Sequence, residues 1–146
     1  MKKNVIVSNR LPLHITKLEN SFLFEPSSGG LATGLSSVHK NTDSLWIGWS
    51  GISNDDLTHK DKLYIKKSLK KDRLVGVELF KKEIDEFYFG LSNKCIWPLF
   101  HYFIELAKFN EKDWVSYLEV NKKFCKKVIE NATLNSTVWV LSLIHI

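Results

Sequence analysis

An arginine follows the most apolar stretch near the start of the chain. Residues 4–9, Asn-Val-Ile-Val-Ser-Asn, contain a β-branched run that predicts a strand buried on both faces. Arg10 comes directly after it, and Leu11-Pro12 ends the run. A guanidinium is costly to place at the end of a buried strand unless an anion meets it. The anion is either one of the sixteen acidic side chains or a bound phosphate, and the sequence leaves both open.

A glycine pair further along the chain adds a second feature that suits phosphate. Gly29 and Gly30 precede Leu31, Leu35 and Val38, whose spacing predicts a helix. Glycine lets backbone N–H groups approach a phosphate, and the positive end of the helix dipole lies at the same place. A glycine pair alone is more often a turn than a binding site. Its combination with an arginine at a strand end is what favours phosphate.

Several aromatic side chains could form walls for a sugar, because pyranose rings stack on aromatic faces. Trp46 and Trp49 flank Gly48, a glycine that is expected to let another group come close. We expect one of these indoles to lie in the core and the other to face a sugar. Tyr88 and Trp97 are either similar walls or core residues, and their spacing does not separate the two interpretations.

Other chemistry is not indicated. His101, between two aromatic residues, is expected to be a hydrogen-bonded core histidine rather than a base. The sequence shows no Ser-His-Asp triad, zinc cluster or paired-carboxylate arrangement, so no metal is expected and no catalytic residue is assigned. Cys95 and Cys125 lack metal-like spacing and are expected to be reduced, partly buried thiols.

The charge of the chain could indicate a nucleic-acid partner. The formal net charge is +5 over 146 residues, but it comes from scattered lysine doublets, and Arg10 and Arg73 are the only arginines. A solvated lysine-rich surface is therefore favoured over nucleic-acid binding. No apolar run approaches the roughly 20 residues that span a bilayer, and residues 5–7 are too short for the apolar part of a signal peptide. No membrane partner is expected, and the expected compartment is the cytoplasm.

Strand and helix patterns alternate along the chain. A hairpin is predicted within residues 13–24, and residues 97–102 are expected to form a compact apolar cluster. The predicted sheet strands are 4–9, 45–48, 74–80 and 137–140. The predicted helices begin at Leu31, cover 54–72, include 84–91 and begin again at the cap Asn110. This alternation predicts an α/β fold, with a parallel sheet covered on both faces and ligands at the carboxyl ends of its strands.

Six short motifs occur in the order and spacing of the trehalose-6-phosphate synthases. They are Ser-Asn-Arg-Leu-Pro, Ser-Gly-Gly-Leu-Ala-Thr-Gly-Leu, Trp-Ile-Gly-Trp-Ser-Gly, Glu-Phe-Tyr, Ser-Asn and Trp-Pro-Leu-Phe-His-Tyr. From about residue 4 to 140 the sequence therefore resembles the N-terminal part of these retaining glycosyltransferases. The resemblance implies a Rossmann-like parallel sheet that forms the N-terminal half of a GT-B fold, here truncated.

The resemblance also implies an activity. The family transfers glucose from a nucleotide sugar, usually UDP-glucose, to glucose 6-phosphate, giving α,α-trehalose 6-phosphate without a metal or other cofactor. By position, Arg10 would contact phosphate, and Gly30 would lie against the diphosphate of the nucleotide sugar. Trp49, Tyr88 and Trp97 would line the pocket for the phosphorylated acceptor, with the Tyr88 hydroxyl on the phosphate.

The resemblance breaks off at the end of the chain. After Val-Trp-Val the family continues with His-Asp-Tyr-His-Leu, whose aspartate contacts the acceptor sugar, and Ser142 stands in its place. Residues 1–140 are expected to form a partial N-terminal, acceptor-side domain, and 141–146 a non-native tail. The donor-binding C-terminal domain is expected to be absent and the fragment inactive. The alternative is a natural non-catalytic sugar-phosphate-binding or regulatory module, and the oligomeric state stays open.

Overall fold

The structure, a computed structural model, describes residues 4–19, 21–27 and 29–141. Residues 142–146 of the expected tail and Ser28 of the glycine motif lie outside these ranges. The elements are β1 Asn4–Arg10, β2 Leu13–Lys17, β3 Phe22–Pro26, α1 Gly30–Asn41, β4 Ser44–Trp49, α2 His59–Lys71, β5 Leu74–Gly76, α3 Lys81–Glu83, a π-helix Ile84–Ile96, α4 Trp97–Phe100, α5 Glu111–Asn131 and β6 Thr137–Val140. Short 3-10 turns occur at Asn54–Asp56 and Ile104–Leu106.

Four strands form a parallel sheet in the order β5-β4-β1-β6. β1 lies inside the sheet, with Val5 opposite Leu45 of β4 on one side and opposite Val138 of β6 on the other. β2 and β3 form a separate antiparallel hairpin, as predicted. Because the strands are parallel, their carboxyl ends meet at one edge of the sheet. The predicted α/β fold with a parallel sheet is confirmed.

Side chains of β1 alternate between two hydrophobic cores, one on each face of the sheet. Val5 and Val7 pack in the core that includes Phe87 of the π-helix, whereas Ile6 packs in the core that includes Ile65 of α2. All three β1 residues are buried, and burial of one aliphatic side chain contributes about 1.5–3 kcal/mol. β1 is therefore buried on both faces, as the β-branched run predicts.

A salt bridge ties the hairpin to α2. Thr58 and Asp61 form a capping box at the start of this helix, and Lys17 of β2 donates to the Asp61 carboxylate at 3.0 Å. The Thr58 N–H, followed by Lys17, holds the pKa of Asp61 below its ordinary value. Because folding favours the ionised carboxyl, this cap stabilises α2 fully at pH values above the ordinary carboxyl pKa. The contribution is lost as pH falls through the lowered pKa.

Two predicted elements are shorter in the structure. The strand predicted over 74–80 ends at Gly76. The Val77 N–H still donates to Gly48 O of β4, but Leu79 O accepts from the N–H of Asn54, which lies in a 3-10 turn and not in a strand. The helix predicted over 54–72 begins only at His59, after a separate 3-10 turn. Both differences arise from capping and loop contacts that apolar periodicity does not record.

The prediction of a compact apolar cluster at residues 97–102 is wrong. Trp97 is 51% exposed and Tyr102 is 90% exposed, while Pro98 is buried. α4 is only four residues long, and consecutive side chains on a helix point in different directions. One short turn can therefore direct few of its apolar side chains into the core.

α5 contacts the core through a narrow apolar face. Tyr117, Val120 and Phe124 are buried, whereas Ile129 is 73% exposed. Cys125 is exposed rather than partly buried, because its neighbour Phe124 occupies the core-facing position. Among the described residues, no helix has both the length and the apolar character needed to cross a membrane.

A glycine in β4 lets two strands come unusually close. β1 carries a bulge, since Val7 is opposite Ile47 but Arg10 is opposite Trp49. A Cβ at Gly48 would lie 2.8 Å from the carbonyl carbon of Arg10, which is closer than these atoms can approach. The close approach predicted at this glycine is confirmed, and the group it admits is the backbone of β1.

Gly48→Ala is expected to lower the free energy of unfolding by about 1–3 kcal/mol, because the added methyl group would force β1 away from β4. Gly34→Ala is the matched control. A Cβ at Gly34 would meet no atom within 4 Å, and alanine is favoured over glycine in a helix by up to about 1 kcal/mol. Urea denaturation measures both variants, and unchanged stability of Gly48→Ala would contradict the close approach.

Candidate functional site

A serine hydroxyl joins β1 and β4 two residues before Arg10. The Trp46 indole N–H donates to Ser8 Oγ at 2.7 Å, and Ser8 Oγ donates to the Arg10 carbonyl oxygen at 2.6 Å. Ser8 and Trp46 are both buried, so water does not compete for these bonds. The Leu11 N–H donates to Trp49 O at 2.9 Å. Together these bonds fix the direction in which the chain leaves β1.

The Arg10 guanidinium lies over two aromatic faces. Its central carbon is 4.7 Å from the centroid of the Trp49 ring and 5.8 Å from that of Tyr88, within the range of cation–π attraction. All sixteen acidic side chains belong to described residues, and none of them forms a salt bridge with Arg10. Arg10 is exposed, so its N–H donors are open to an anion. The structural ion pair that the sequence left open is therefore not formed.

Both tryptophans around Gly48 are buried, so the expectation that one indole lies outside the core is wrong. Trp46 is 1% exposed and Trp49 is 4% exposed. Residues three apart on a strand point to opposite faces, and both faces of this sheet are covered. Trp49 Nε1 donates to Ile52 O at 2.8 Å, which holds the ring edge inside while the ring also contacts Arg10.

An uncommon helix aligns Tyr88 with Trp97. Residues 84–96 form a π-helix, at whose end the Trp97 N–H donates to Ser92 O, five residues back. Nine residues make about two and a half turns of an α-helix but only about two turns of the wider π-helix. Tyr88 and Trp97 are nine residues apart, so regular π-helical geometry directs them to the same side, whereas an α-helix would direct them to opposite sides. Apolar spacing predicted a helix at this position, but not its type.

Trp97 stands apart from the contacts of Arg10. Among the described residues, Arg10 has ring contacts with Trp49 and Tyr88 but not with Trp97. His101 stacks on Trp97 instead. His101 is hydrogen-bonded, as expected, but it is exposed rather than a core residue. The structure thus brings together three of the predicted site residues and places Trp97 further along the same side of the helix.

The glycine motif is anchored to the chain just beyond β1. The Ser27 N–H donates to Pro12 O at 2.9 Å, and its hydroxyl donates to Leu11 O at 3.2 Å. α1 then begins at Gly30, and no side chain caps it at Gly29. A Cβ at Gly30 would meet no atom within 4 Å, so contacts among the described residues do not require glycine there. The N-terminus of α1 is open, as an anion site needs.

Sequence reasoning missed three buried polar atoms that have no hydrogen-bond partner, namely Asn9 Oδ1, His14 Nδ1 and Asn54 Oδ1. All three lie on segments at or beyond the carboxyl ends of β1 and β4. Such atoms are uncommon in native proteins, and each calls for an explanation. No sequence signal marks them, because packing decides whether an amide or imidazole keeps a partner. Within the described part of the chain, no three His, Cys, Asp or Glu side chains group as a metal site requires.

A parallel sheet with an unpaired arginine and an open helix N-terminus beyond its central strand defines a Rossmann-like domain suited to phosphate ligands. The profile of glycosyltransferase family 20 matches residues 2–142. This chain belongs to that family. The resemblance to the trehalose-6-phosphate synthases that the motifs indicated is confirmed.

The matches to known relatives cover nearly the whole of this chain but less than a third of each relative. The UDP-forming α,α-trehalose-phosphate synthase of Candida albicans is 35% identical over 140 residues, which are 94% of this chain and 29% of the relative. The solved UDP-forming α,α-trehalose-phosphate synthase of Burkholderia xenovorans gives a TM-score of 0.71 at 25% identity, over 99% of this chain and 28% of that one. An E. coli structure bound with UDP-2-fluoro glucose gives 0.70 at 26% identity, over 99% and 28%. The chain thus spans less than a third of these relatives.

Ser8→Ala is expected to lower the free energy of unfolding by about 1–3 kcal/mol, because the Trp46 N–H would stay buried without its acceptor. Ser27→Ala is the control, since it removes a longer and less buried bond to Leu11 and should cost less. Guanidinium chloride denaturation compares the two variants. An equal cost at both positions would show that the buried bond has no special part in holding β1.

Proposed function

We propose that this chain forms the acceptor side of a trehalose-phosphate synthase site and binds the phosphate of glucose 6-phosphate through Arg10. The reaction transfers glucose from UDP-glucose to glucose 6-phosphate, giving α,α-trehalose 6-phosphate and UDP. One observation carries the proposal: the Arg10 guanidinium is held over Trp49 and Tyr88 without a carboxylate partner. The names of the C. albicans and B. xenovorans relatives support the reaction, and the ligand of the E. coli structure supports the donor.

The phosphate step follows from the shape and charge of the guanidinium. Its planar N–H groups match two oxygens of a phosphate, which an ammonium group cannot do. The rings of Trp49 and Tyr88 hold Arg10 without neutralising its charge. No carboxylate has to be displaced before an anion binds, so Arg10 is pre-organised. The Tyr88 hydroxyl completes the phosphate site by donating to a phosphate oxygen.

The three aromatic residues of the acceptor pocket have different parts. The π-helix carries Tyr88 and directs Trp97, the first residue of α4, to the same side, and about half of the Trp97 surface is free to meet a pyranose ring. Trp49 is buried and carries Arg10, so its main part is to orient the cation. All three line the pocket, but Trp97 provides the largest open aromatic surface among them.

The glycine motif serves the donor. Gly30 lies against the diphosphate of the nucleotide sugar, where the first N–H groups of α1 and the helix dipole favour negative charge. The helix has no side-chain cap to compete for those N–H groups. The space beside Gly30 is open, and any other residue would place a side chain in it. Glycine therefore lets phosphate oxygens come close to the backbone.

Catalysis by this family depends on positioning two substrates. No residue of this chain is assigned a catalytic role, and the proposed reaction uses UDP-glucose as a co-substrate with no metal or other cofactor. The donor-binding domain that the family resemblance implies is not supplied by residues 1–140. Because transfer depends on holding both reacting groups in register, the chain alone is inactive. The proposed compartment of the enzyme is the cytoplasm.

A non-catalytic sugar-phosphate-binding or regulatory module is the second candidate. It is favoured by one observation, that this chain alone assembles Arg10, Trp49 and Tyr88. Both candidates bind glucose 6-phosphate, and only the first belongs to a site that forms product. Nucleic acid and membrane have no part in either proposal.

Arg10→Ala is expected to weaken binding of glucose 6-phosphate at least about tenfold, since hydrogen bonds to charged groups contribute about 1.5–3 kcal/mol. Arg10→Lys keeps the charge but lacks the planar pair of N–H donors, so its affinity for glucose 6-phosphate should lie between those of the unmodified chain and Arg10→Ala. Arg73→Ala removes the other arginine, which bonds to His39 O, and should leave affinity unchanged. Titration calorimetry with glucose 6-phosphate measures all three variants, and undiminished affinity in Arg10→Ala would remove the phosphate role.

The purified 146-residue chain, given UDP-glucose and glucose 6-phosphate, is expected to form no α,α-trehalose 6-phosphate while still binding glucose 6-phosphate. Mass spectrometry of the phosphorylated product and an assay of released UDP measure turnover. The full-length C. albicans relative, assayed under the same conditions, is the positive control. Product formed by the chain alone would show that the donor side is not needed and would contradict the proposed division of the site.

A further inference from the structure

The Trp97 ring needs support if it is to serve as a sugar wall. It is half exposed at the junction of the π-helix and α4. A side chain that is free to change rotamer has to be ordered when a ligand binds, and this ordering reduces affinity. A ring that is already held in place avoids the loss. The side chain that contacts the Trp97 ring is His101, four residues further on.

His101 holds Trp97 through both ring and backbone. The two ring centroids are 4.1 Å apart, and the ring planes differ by 23°, which is a stacked arrangement. His101 Nδ1 lies 2.7 Å from the Trp97 carbonyl oxygen. The backbone N–H of His101 donates to the same oxygen at 3.2 Å. One carbonyl oxygen thus accepts two bonds from a single residue, which fixes His101 against the helix end.

The hydrogen bond also determines the state of the imidazole. A carbonyl oxygen only accepts, so Nδ1 of His101 carries the proton in this bond. The bond and the stack together select one tautomer and one orientation of the ring. The imidazole covers one face of the Trp97 indole, and about half of the Trp97 surface, 51%, stays exposed.

We propose that His101 is a positioning residue of the acceptor site, which holds the Trp97 indole so that its free face meets the sugar ring of glucose 6-phosphate. The identity of the ligand rests on the function proposed above, whereas the contact between the two rings does not. The arrangement divides recognition into two parts. Arg10 determines binding of the phosphate, and His101 acts on the sugar through Trp97.

His101→Ala removes both the stacked ring and the Nδ1–H donor. It is expected to weaken binding of glucose 6-phosphate about threefold to tenfold, the range set by ordering one side chain. The affinity for inorganic phosphate is expected to stay unchanged. His101→Phe keeps a stacked ring without the bond and is expected to recover part of the affinity. Tyr102→Ala is the matched control, because this neighbouring aromatic residue is 90% exposed and should affect neither ligand.

Near-ultraviolet circular dichroism tests the contact without any ligand. A fixed indole gives a dichroic band that a freely rotating indole loses. His101→Ala is expected to remove a tryptophan band that Trp97→Phe also lacks, and the double variant should lose no more than either single variant. Because His101 is exposed, equal thermal unfolding midpoints are expected and would exclude a folding defect as the cause.

The outcomes separate this inference from the proposed function. Unchanged dichroism in His101→Ala overturns the inference. An equal loss of affinity for inorganic phosphate and for glucose 6-phosphate also overturns it, because the substitution would then have disturbed phosphate binding by Arg10. If the unmodified chain binds neither ligand, the proposed function fails, and the dichroism alone decides whether His101 holds Trp97.

Discussion

The end of β1 is the constraint on which the rest of the site depends. A bulge places an additional β1 residue opposite β4, and Gly48 has no side chain to prevent the two backbones from meeting. The Ser8 hydroxyl then connects the Trp46 indole to the Arg10 carbonyl inside the core, where water does not compete. The point from which the guanidinium extends is therefore set by backbone packing. The aromatic contacts of Arg10 act on a position that the strand has already determined.

The partners of Arg10 are strong enough to orient it and weak enough to leave its charge available. A cation over an aromatic face at an exposed site gains about 0.5–1 kcal/mol, whereas a hydrogen bond to a charged group contributes about 1.5–3 kcal/mol. An incoming phosphate therefore gains more from Arg10 than Trp49 and Tyr88 do. A carboxylate in place of these rings would compete with phosphate on equal terms. Aromatic neighbours thus keep the arginine ordered in the free protein and available to a ligand.

The sequence predicts features with a local physical cause and misses those decided by distant contacts. Burial of β1, the exceptional position of Arg10 and the close approach at Gly48 all follow from residue types within a few positions. The type of helix over 84–96 does not, since the same apolar spacing fits an α-helix. The compact apolar cluster expected at residues 97–102 does not form, because apolar character predicts burial while a helix of four residues has little core to enter. The unpartnered polar atoms at the carboxyl edge depend on tertiary packing alone.

Because of the π-helix, the number of residues between Tyr88 and Trp97 matters more than which residues they are. Each residue of such a helix turns the side-chain direction by about 80°, so adding or removing one residue between Tyr88 and Trp97 would rotate one ring away from the other. The number of residues in this segment therefore sets the angle between the two side chains. Side chains within it can vary as long as the core is filled, but a change in its residue count would alter the shape of the proposed sugar pocket. Insertions and deletions here would therefore change the specificity of the proposed site, even when every aromatic residue is retained.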